Sequence, residues 1–358
     1  MDQTTFSWPE SIASTRDLRQ FFKNLPKIDL HRHLEGSLRL GTVVELAREH
    51  GIDLPSYDIE TLRPLIQVVD DPPNFDRYLG KFHILRRLYS NRETIQRVAY
   101  EAVADAAADN VRYLELRFSP SAQAAVHGFS FADTTDWVIS GVKRARRDFD
   151  IGVQLVITLV LHDPVDWAYE ITEIAITRQS EGVVALDLAG QAARFPTAPF
   201  VPLFEKARAA GLNVTVHAGE ACGPETVVEA VNRMGAQRIG HGIRAIEDSR
   251  VCQLLRNKNV TLEVCPTSNI QTGVVMSFWR HALRDLHHMG VAVTVNTDNV
   301  SISNTSLTDE YLVATLGIGV SLLDLRQMML NAVEAAFLPD REKDGLRAWF
   351  SRYLGVAS

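Results

Sequence analysis

The chain has 358 residues, 46% of them hydrophobic and 23% charged, enough to bury a large core and too balanced for a disordered or fibrous protein. A formal net charge of −7 speaks against a general nucleic-acid surface, and no apolar run reaches membrane-spanning length. Cys222, Cys252 and Cys265 show no metal-knuckle spacing and read as reduced thiols of a cytoplasmic protein, and the first residues lack the apolar core of a signal peptide.

Residues 1–25 read as a leader and a short helix placed to close the bottom of the fold. After Pro26, the residues Ile28, Asp29 and Leu30 form a short strand that ends in His31 and His33. Residues two apart on a strand share a face, so both imidazoles leave on one side, and Gly36 then lets the chain turn. A helix over 42–50 stops at Gly51, and 52–72 is irregular and marked by prolines. Over 74–89, Phe75, Tyr78, Leu79, Phe82, Leu85 and Leu88 recur at three- and four-residue steps, which predicts an amphipathic helix. Asn91 caps a further helix over 92–109.

From there strands and helices alternate. Strands are expected over 111–118, 153–161, 183–188, 212–216, 238–240, 260–264 and 291–295. Helices are expected between them over 131–148, 164–179, about 200–210, 224–234, 247–256 and about 277–289, and then over 306–337 and 341–354. With the histidine strand this makes eight β-α units, and the strands are apolar runs rather than alternating ones, as when both faces are buried. The pattern predicts an α/β fold, a (β/α)8 TIM barrel with an inserted helical lid after the first strand, in one domain over 1–358. An open doubly wound sheet would need a glycine-rich phosphate loop after an early strand, and none is present.

The chemistry-bearing residues collect at the C-terminal ends of the strands, where barrels build active sites. His31 and His33 end the first strand, His217 and Glu220 follow the fifth, His241 the sixth and Asp298 the eighth. Three histidines and a carboxylate suit a catalytic divalent metal, most naturally zinc. Glu220, three residues past His217, is a candidate proton carrier. Gly190 can offer a backbone N–H that no side chain blocks, and Ser119 and His162 end strands where they would line the pocket. His50, His83, His127, His281, His287 and His288 fall in helices or loops and read as surface or packing residues.

These stretches resemble the adenosine deaminase family. They are Pro-Lys-Ile-Asp-Leu-His-Arg-His-Leu-Glu-Gly-Ser (26–37), Tyr-Leu-Glu-Leu-Arg-Phe-Ser-Pro (113–120), Leu-Asp-Leu-Ala-Gly (186–190), His-Ala-Gly-Glu (217–220), Arg-Ile-Gly-His-Gly (238–242), Cys-Pro-Thr-Ser-Asn (265–269) and Asn-Thr-Asp (296–298). They span about 26–315 in the family's order. The resemblance implies one zinc per chain, held by His31, His33, His217 and Asp298, and hydrolytic deamination of adenosine to inosine and ammonia in purine salvage. It implies that Glu220 protonates purine N1, that His241 orients and helps deprotonate the attacking water, and that the Gly190 N–H meets N3. Tyr78, Leu79 and Phe82 match the lid over the pocket, and His33 is also placed to touch substrate. The partner implied is a small-molecule 6-aminopurine, with no nucleic acid and no membrane.

Two positions depart from the family pattern. Glu35 stands where an aspartate usually holds the ribose 5′-hydroxyl, and Asn299 stands where a second aspartate meets purine N7. Both bear on which aminopurine is preferred: adenosine, 2′-deoxyadenosine, adenine or another. The remaining alternatives are a different metal hydrolase on the same barrel and a non-catalytic binding protein, the latter opposed by the intact set of six residues. The Pro-Cys-x-x-Cys run of cytidine-type zinc deaminases is absent, which excludes that class.

Overall fold

The computed structural model describes residues 14–355, so most of the stretch read as a leader lies outside the described residues. Helix α1 (Thr15–Asn24) begins at Ser14, whose hydroxyl accepts the Asp17 N–H. It sits against the entry to the first strand: the buried Lys27 ammonium turns back to the Phe22 and Leu25 carbonyls at 2.8 and 2.9 Å.

Eight parallel strands follow in ring order. They are β1 (Lys27–His33), β2 (Val111–Phe118), β3 (Gly152–Val160), β4 (Val183–Ala189), β5 (Asn213–Ala218), β6 (Arg238–His241), β7 (Thr261–Val264) and β8 (Val293–Val295). Each pairs with the next, and the ring is completed just past β8, where the His33 N–H donates to the Asp298 carbonyl (2.8 Å) and the Asp298 N–H to the His31 carbonyl (2.7 Å). Below that seam the Asn296 side chain stands in for a ladder bond by accepting the Leu30 N–H at 3.0 Å. The strands are buried on both faces because side chains fill the barrel and helices cover it, which is why their sequences lack alternation.

The barrel is the one read from the sequence, and the differences are local. The stretch 52–72 holds a helix, α3 (Ile59–Ile66), which follows α2 (Leu40–Glu49). Asp58 caps α3 by accepting the Thr61 N–H at 2.9 Å, and Pro64 lies inside its last turn, where it has no N–H to give to the helix. The amphipathic run over 74–89 is two short helices, α4 (Phe75–Gly80) and α5 (Phe82–Arg86). The break comes at Lys81, whose buried ammonium reaches the Pro64 carbonyl (2.9 Å) and Asp71 (2.7 Å). The helix expected over 306–337 divides at Gly319, at φ 83°, and Ser321 caps a new helix over Leu322–Ala335. In place of a helix over 277–289 there is a turn at Phe278–Arg280, a buried His281 and a short helix, Leu283–His288.

Helices α4 and α5 lie over the C-terminal mouth of the barrel. Three contacts hold them there. The Tyr78 hydroxyl meets Ser303 at 2.9 Å, the Asn74 N–H donates to the Gln271 carbonyl (3.1 Å), and Asp76 accepts from Gln191 and Arg194 at 3.0 and 2.9 Å.

Candidate active site

His31 and His33 lie on the last turn of the pleat of β1, His217 is the penultimate residue of β5, His241 ends β6, and Asp298 follows β8 by three residues. His241 and Asp298 both take positive φ, 62° and 63°, a conformation that non-glycine residues seldom adopt. Such strain persists only where surrounding bonds fix it, and it aims both side chains at the barrel axis.

His31 Nδ1 lies 2.8 Å from Glu263 Oε2, and His217 Nδ1 lies 3.0 Å from Asp187 Oδ1. An ionised carboxylate only accepts, so each Nδ1 carries a proton and each Nε2 faces inward. His33 Nε2 stands 3.2 Å from His217 Nε2, and Asp298 Oδ1 stands 3.6 and 3.5 Å from the Nε2 atoms of His31 and His33. His31 Nε2 is buried with no hydrogen-bond partner. An inward nitrogen with nothing to meet it, ringed by two more imidazole nitrogens and a carboxylate oxygen, fits a divalent cation, and zinc suits that donor set.

His241 also has its ring within reach of this cluster. Hydrogen bonding sets it apart. His281 Nδ1 accepts the Leu283 N–H at 3.1 Å, so its proton sits on Nε2, which donates to Asn269 Oδ1 at 3.2 Å. That orients the Asn269 amide with its NH₂ toward His241 Nδ1, at 3.1 Å. His241 Nδ1 is therefore an acceptor and its proton sits on Nε2, 3.8 Å from Glu220 Oε1. Burial, reinforced by His31, holds His241 well below the ordinary histidine range, so the ring is neutral and offers the site an N–H donor.

The charges around the cluster are sharply sorted. Burial works against the Glu263 carboxylate, but Arg117 and Arg238 overcome it and hold it well below the usual range. Asp187 is lowered in the same way by His217 and Arg117. His217 is pulled up by Asp187 against its burial, which gives the basic imidazole that cation binding favours. Burial pushes His33 down, leaving it neutral. Glu220 behaves oppositely to Glu263: burial, then the nearby Asp298 charge, push its carboxyl up to about 8.

Above the cluster a cavity of about 560 Å³ opens toward α4 and α5. Every residue singled out from the sequence lines it except His31, which is fully buried beneath its floor. Gly190 takes φ 120°, and a Cβ there would come 3.3 Å from Leu161, so glycine suits the position twice over. Glu35 is buried, with Oε1 accepting the Ser119 N–H (2.9 Å) and the Gln123 amide (3.0 Å). Asn299 packs its carboxamide onto Gly36, where any Cβ would fall 2.1 Å from Oδ1, and that oxygen has no hydrogen-bond partner. The Tyr78 ring walls the cavity with its hydroxyl already bonded to Ser303, while Leu79 and Phe82 supply apolar surface and His162 faces in from the end of β3.

Two histidines read as surface or packing residues do more: His83 lines the cavity and His281 orients Asn269. The sequence reading also passed over Asp187, Glu263, Arg117, Arg238 and Ser268, whose hydroxyl donates to Asp298 Oδ2 at 2.6 Å. Four of these were visible as charges inside apolar strands buried on both faces, where an unpaired charge would be costly. Asn269 and His281 carry no such signal.

A profile of the adenosine deaminase family matches residues 26–351. An adenosine deaminase from Clostridium botulinum (strain Langeland) is 37% identical over 93% of this chain and 99% of its own. Among solved structures, a zinc-bound amidohydrolase from Burkholderia ambifaria superposes with a TM-score of 0.86 at 28% identity, covering 96% of this chain and 94% of that one. The Arabidopsis N6-mAMP deaminase superposes with a TM-score of 0.83 at 28% identity, covering 93% and 99%. Together with eight parallel strands and a histidine–carboxylate cluster at their C-terminal ends, these matches show that the chain belongs to the adenosine deaminase family.

Proposed function

We propose that this chain hydrolyses adenosine, and 2′-deoxyadenosine, to the 6-oxo purine and ammonia. The observation that carries the reading is Glu220: a carboxyl largely removed from water, pushed up to about 8 by burial and the Asp298 charge, that lines a purine-sized cavity beside the histidine cluster. A neutral carboxyl donates a hydrogen bond and a proton, as protonation of a ring nitrogen requires.

His31, His33, His217 and Asp298 would hold one zinc ion, which fits the orphaned His31 Nε2. When bound, it would supply Lewis acidity and make a hydroxide nucleophile available at neutral pH. Glu220 gives its proton to N1, which leaves C6 open to attack by water. One of the water's protons returns Glu220 to its acid form, and the other passes from the new C6 hydroxyl to the amine, so that C6=O forms as the C6–N bond breaks and ammonia departs. His241 orients the attacking oxygen by donating from Nε2; with its proton already there, orientation rather than proton removal is the role its tautomer supports. The Gly190 N–H meets N3, the Asn299 amide meets N7, and Phe82, Leu79 and Tyr78 keep bulk water from the ring.

No helix among the described residues is long and apolar enough to cross a membrane. With three free thiols and a small-molecule substrate, a single-domain enzyme of cytoplasmic purine salvage is the reading supported. Loss of adenine absorbance with matching ammonia release from adenosine tests it. Release from adenine alone would reassign the substrate to the free base, and no release from any 6-aminopurine would end the reading.

A further inference from the structure

Among the described residues, Arg86 is a cation on the cavity wall with no ion-pair partner. Arg86, the last residue of α5, is half-buried and lines the cavity, and its Nε is buried without a hydrogen-bond partner. Among the described residues its guanidinium forms no ion pair and no hydrogen bond. The acids nearby are already engaged. Glu35 accepts from Ser119 and Gln123, Asp76 from Gln191 and Arg194, and Asp163 from the Ser121 hydroxyl. A guanidinium partly removed from water with its donors unmet is costly to keep, and its planar fork matches a phosphate or a carboxylate.

Other donors gather beside it. His83 lies three residues back on the same short helix, hence on the same face, and also lines the cavity; His162 lines it from the end of β3. The location fits one end of a nucleoside. Arg86 is close enough for its charge to act on Glu35, which sits over β1 and β2, whereas Glu220 follows β5 on the opposite side of the ring of strands. A purine that presents N1 to Glu220 turns its N9 substituent away from that side.

We propose that Arg86, supported by His83 and His162, forms a subsite for an anionic group on the N9 substituent, a phosphate or a carboxylate, so that the preferred substrate is an anionic adenosine derivative. This rests on the deaminase reading above, and it adds the chemical class of the sugar end.

The test compares adenosine, adenosine 5′-monophosphate and adenosine 5′-carboxylate as substrates, and inosine with inosine 5′-monophosphate as ligands that do not turn over. The wild-type protein and Arg86→Gln are both used, each with its thermal unfolding recorded. One charge-assisted contact is worth about 10- to 100-fold. One of the two anionic substrates should exceed adenosine in kcat/KM by about that factor, the better one naming the anion. The preference should collapse in Arg86→Gln, be partly kept in Arg86→Lys, and weaken as salt rises. Inosine 5′-monophosphate should bind more tightly than inosine by a similar factor in the wild type only. Adenosine turned over as well as both anions, with a ratio that Arg86→Gln does not move, overturns the subsite and leaves the deaminase reading standing. Arg86-dependent binding of inosine 5′-monophosphate without release of ammonia from any substrate would overturn the deaminase reading and keep the subsite.

Discussion

The barrel interior below the histidines and the cavity above them treat the same side chain in opposite ways. Below, Glu263 accepts from His31, Arg117, Arg238 and Thr215, with Arg117 at 2.6 Å from one oxygen and Arg238 at 2.6 Å from the other. Asp187 takes Arg117 at 3.3 Å, and Glu115 takes Arg238. Arg238 also stacks 3.5 Å over the Phe337 ring and donates to the Ala335 carbonyl (2.8 Å), which ties the network to the segment after the Leu322–Ala335 helix. Above, Glu220 is nearly as buried, but among the described residues no arginine pairs with it. The lower carboxylates are held charged and serve as fixed acceptors that turn the histidine Nε2 atoms inward. The upper one is held neutral and can give a proton. What separates the two is the presence of a guanidinium, since burial is common to both.

Breaking the lower region should have the largest effect. Arg117→Met leaves Asp187 and Glu263 buried beside each other with half their counter-charge gone. Removing one partner of a buried pair costs roughly 3–5 kcal/mol. The urea midpoint followed by circular dichroism should fall accordingly, and zinc content should fall with it. An unchanged midpoint would mean the network contributes no stability.

Glu310 sharpens the comparison from a second position. It is fully buried, its carboxyl accepts from Thr267 and Thr305 and, among the described residues, meets no arginine, and burial pushes it up to about 7 from an unfolded value near 4.5. Between those values the folded state holds a proton that the unfolded chain has lost. Stability should therefore fall as pH rises from about 4.5 to about 7 and then level off, by on the order of 3 kcal/mol in all. Glu310→Gln should flatten that slope in unfolding curves recorded across the window; a slope unchanged by the substitution would remove Glu310 as its source.

The His281–Asn269–His241 chain should matter less to stability and more to rate. His281→Phe frees the Asn269 amide to turn, and His241 then loses its fixed tautomer. We expect kcat to fall about 10- to 100-fold with zinc content unchanged, and His281→Gln, which can still donate to Asn269, to recover part of it. Full activity in His281→Phe would make the chain structural only.

The contacts over the mouth should matter least. Asp76 and Arg194 are each more than half exposed, and such pairs contribute roughly 0–1 kcal/mol. Asp76→Asn should leave the unfolding midpoint in place and raise KM by no more than a few fold. A large loss of stability would place the lid among the structural elements.

The same division governs what the sequence could tell. Eight apolar runs, several ending in histidines or acids, were enough for the barrel and for bringing His31, His33, His217, His241, Glu220 and Asp298 to one end of it, because strand ends converge whatever the loops do. The charges inside β2, β4, β6 and β7 announced that partners existed, but pairing across the barrel depends on stagger that no local pattern encodes. Lid geometry was less legible still. The break at Lys81 depends on its contact with Pro64 and Asp71 in another segment, and the His281 contact with Asn269 joins two loops whose helical signals are weak.

The most direct measurement is single-turnover and steady-state kinetics of zinc-loaded Glu220→Gln with adenosine. Glutamine keeps the shape and can donate a hydrogen bond but cannot release a proton to N1. Zinc content and inosine binding should match wild type while kcat falls by about 10²–10⁴-fold, the range for a lost general acid. Turnover within a fewfold of wild type, with zinc bound, would contradict the assignment of Glu220 as the proton donor and with it the division between a charged floor and a neutral, proton-giving wall.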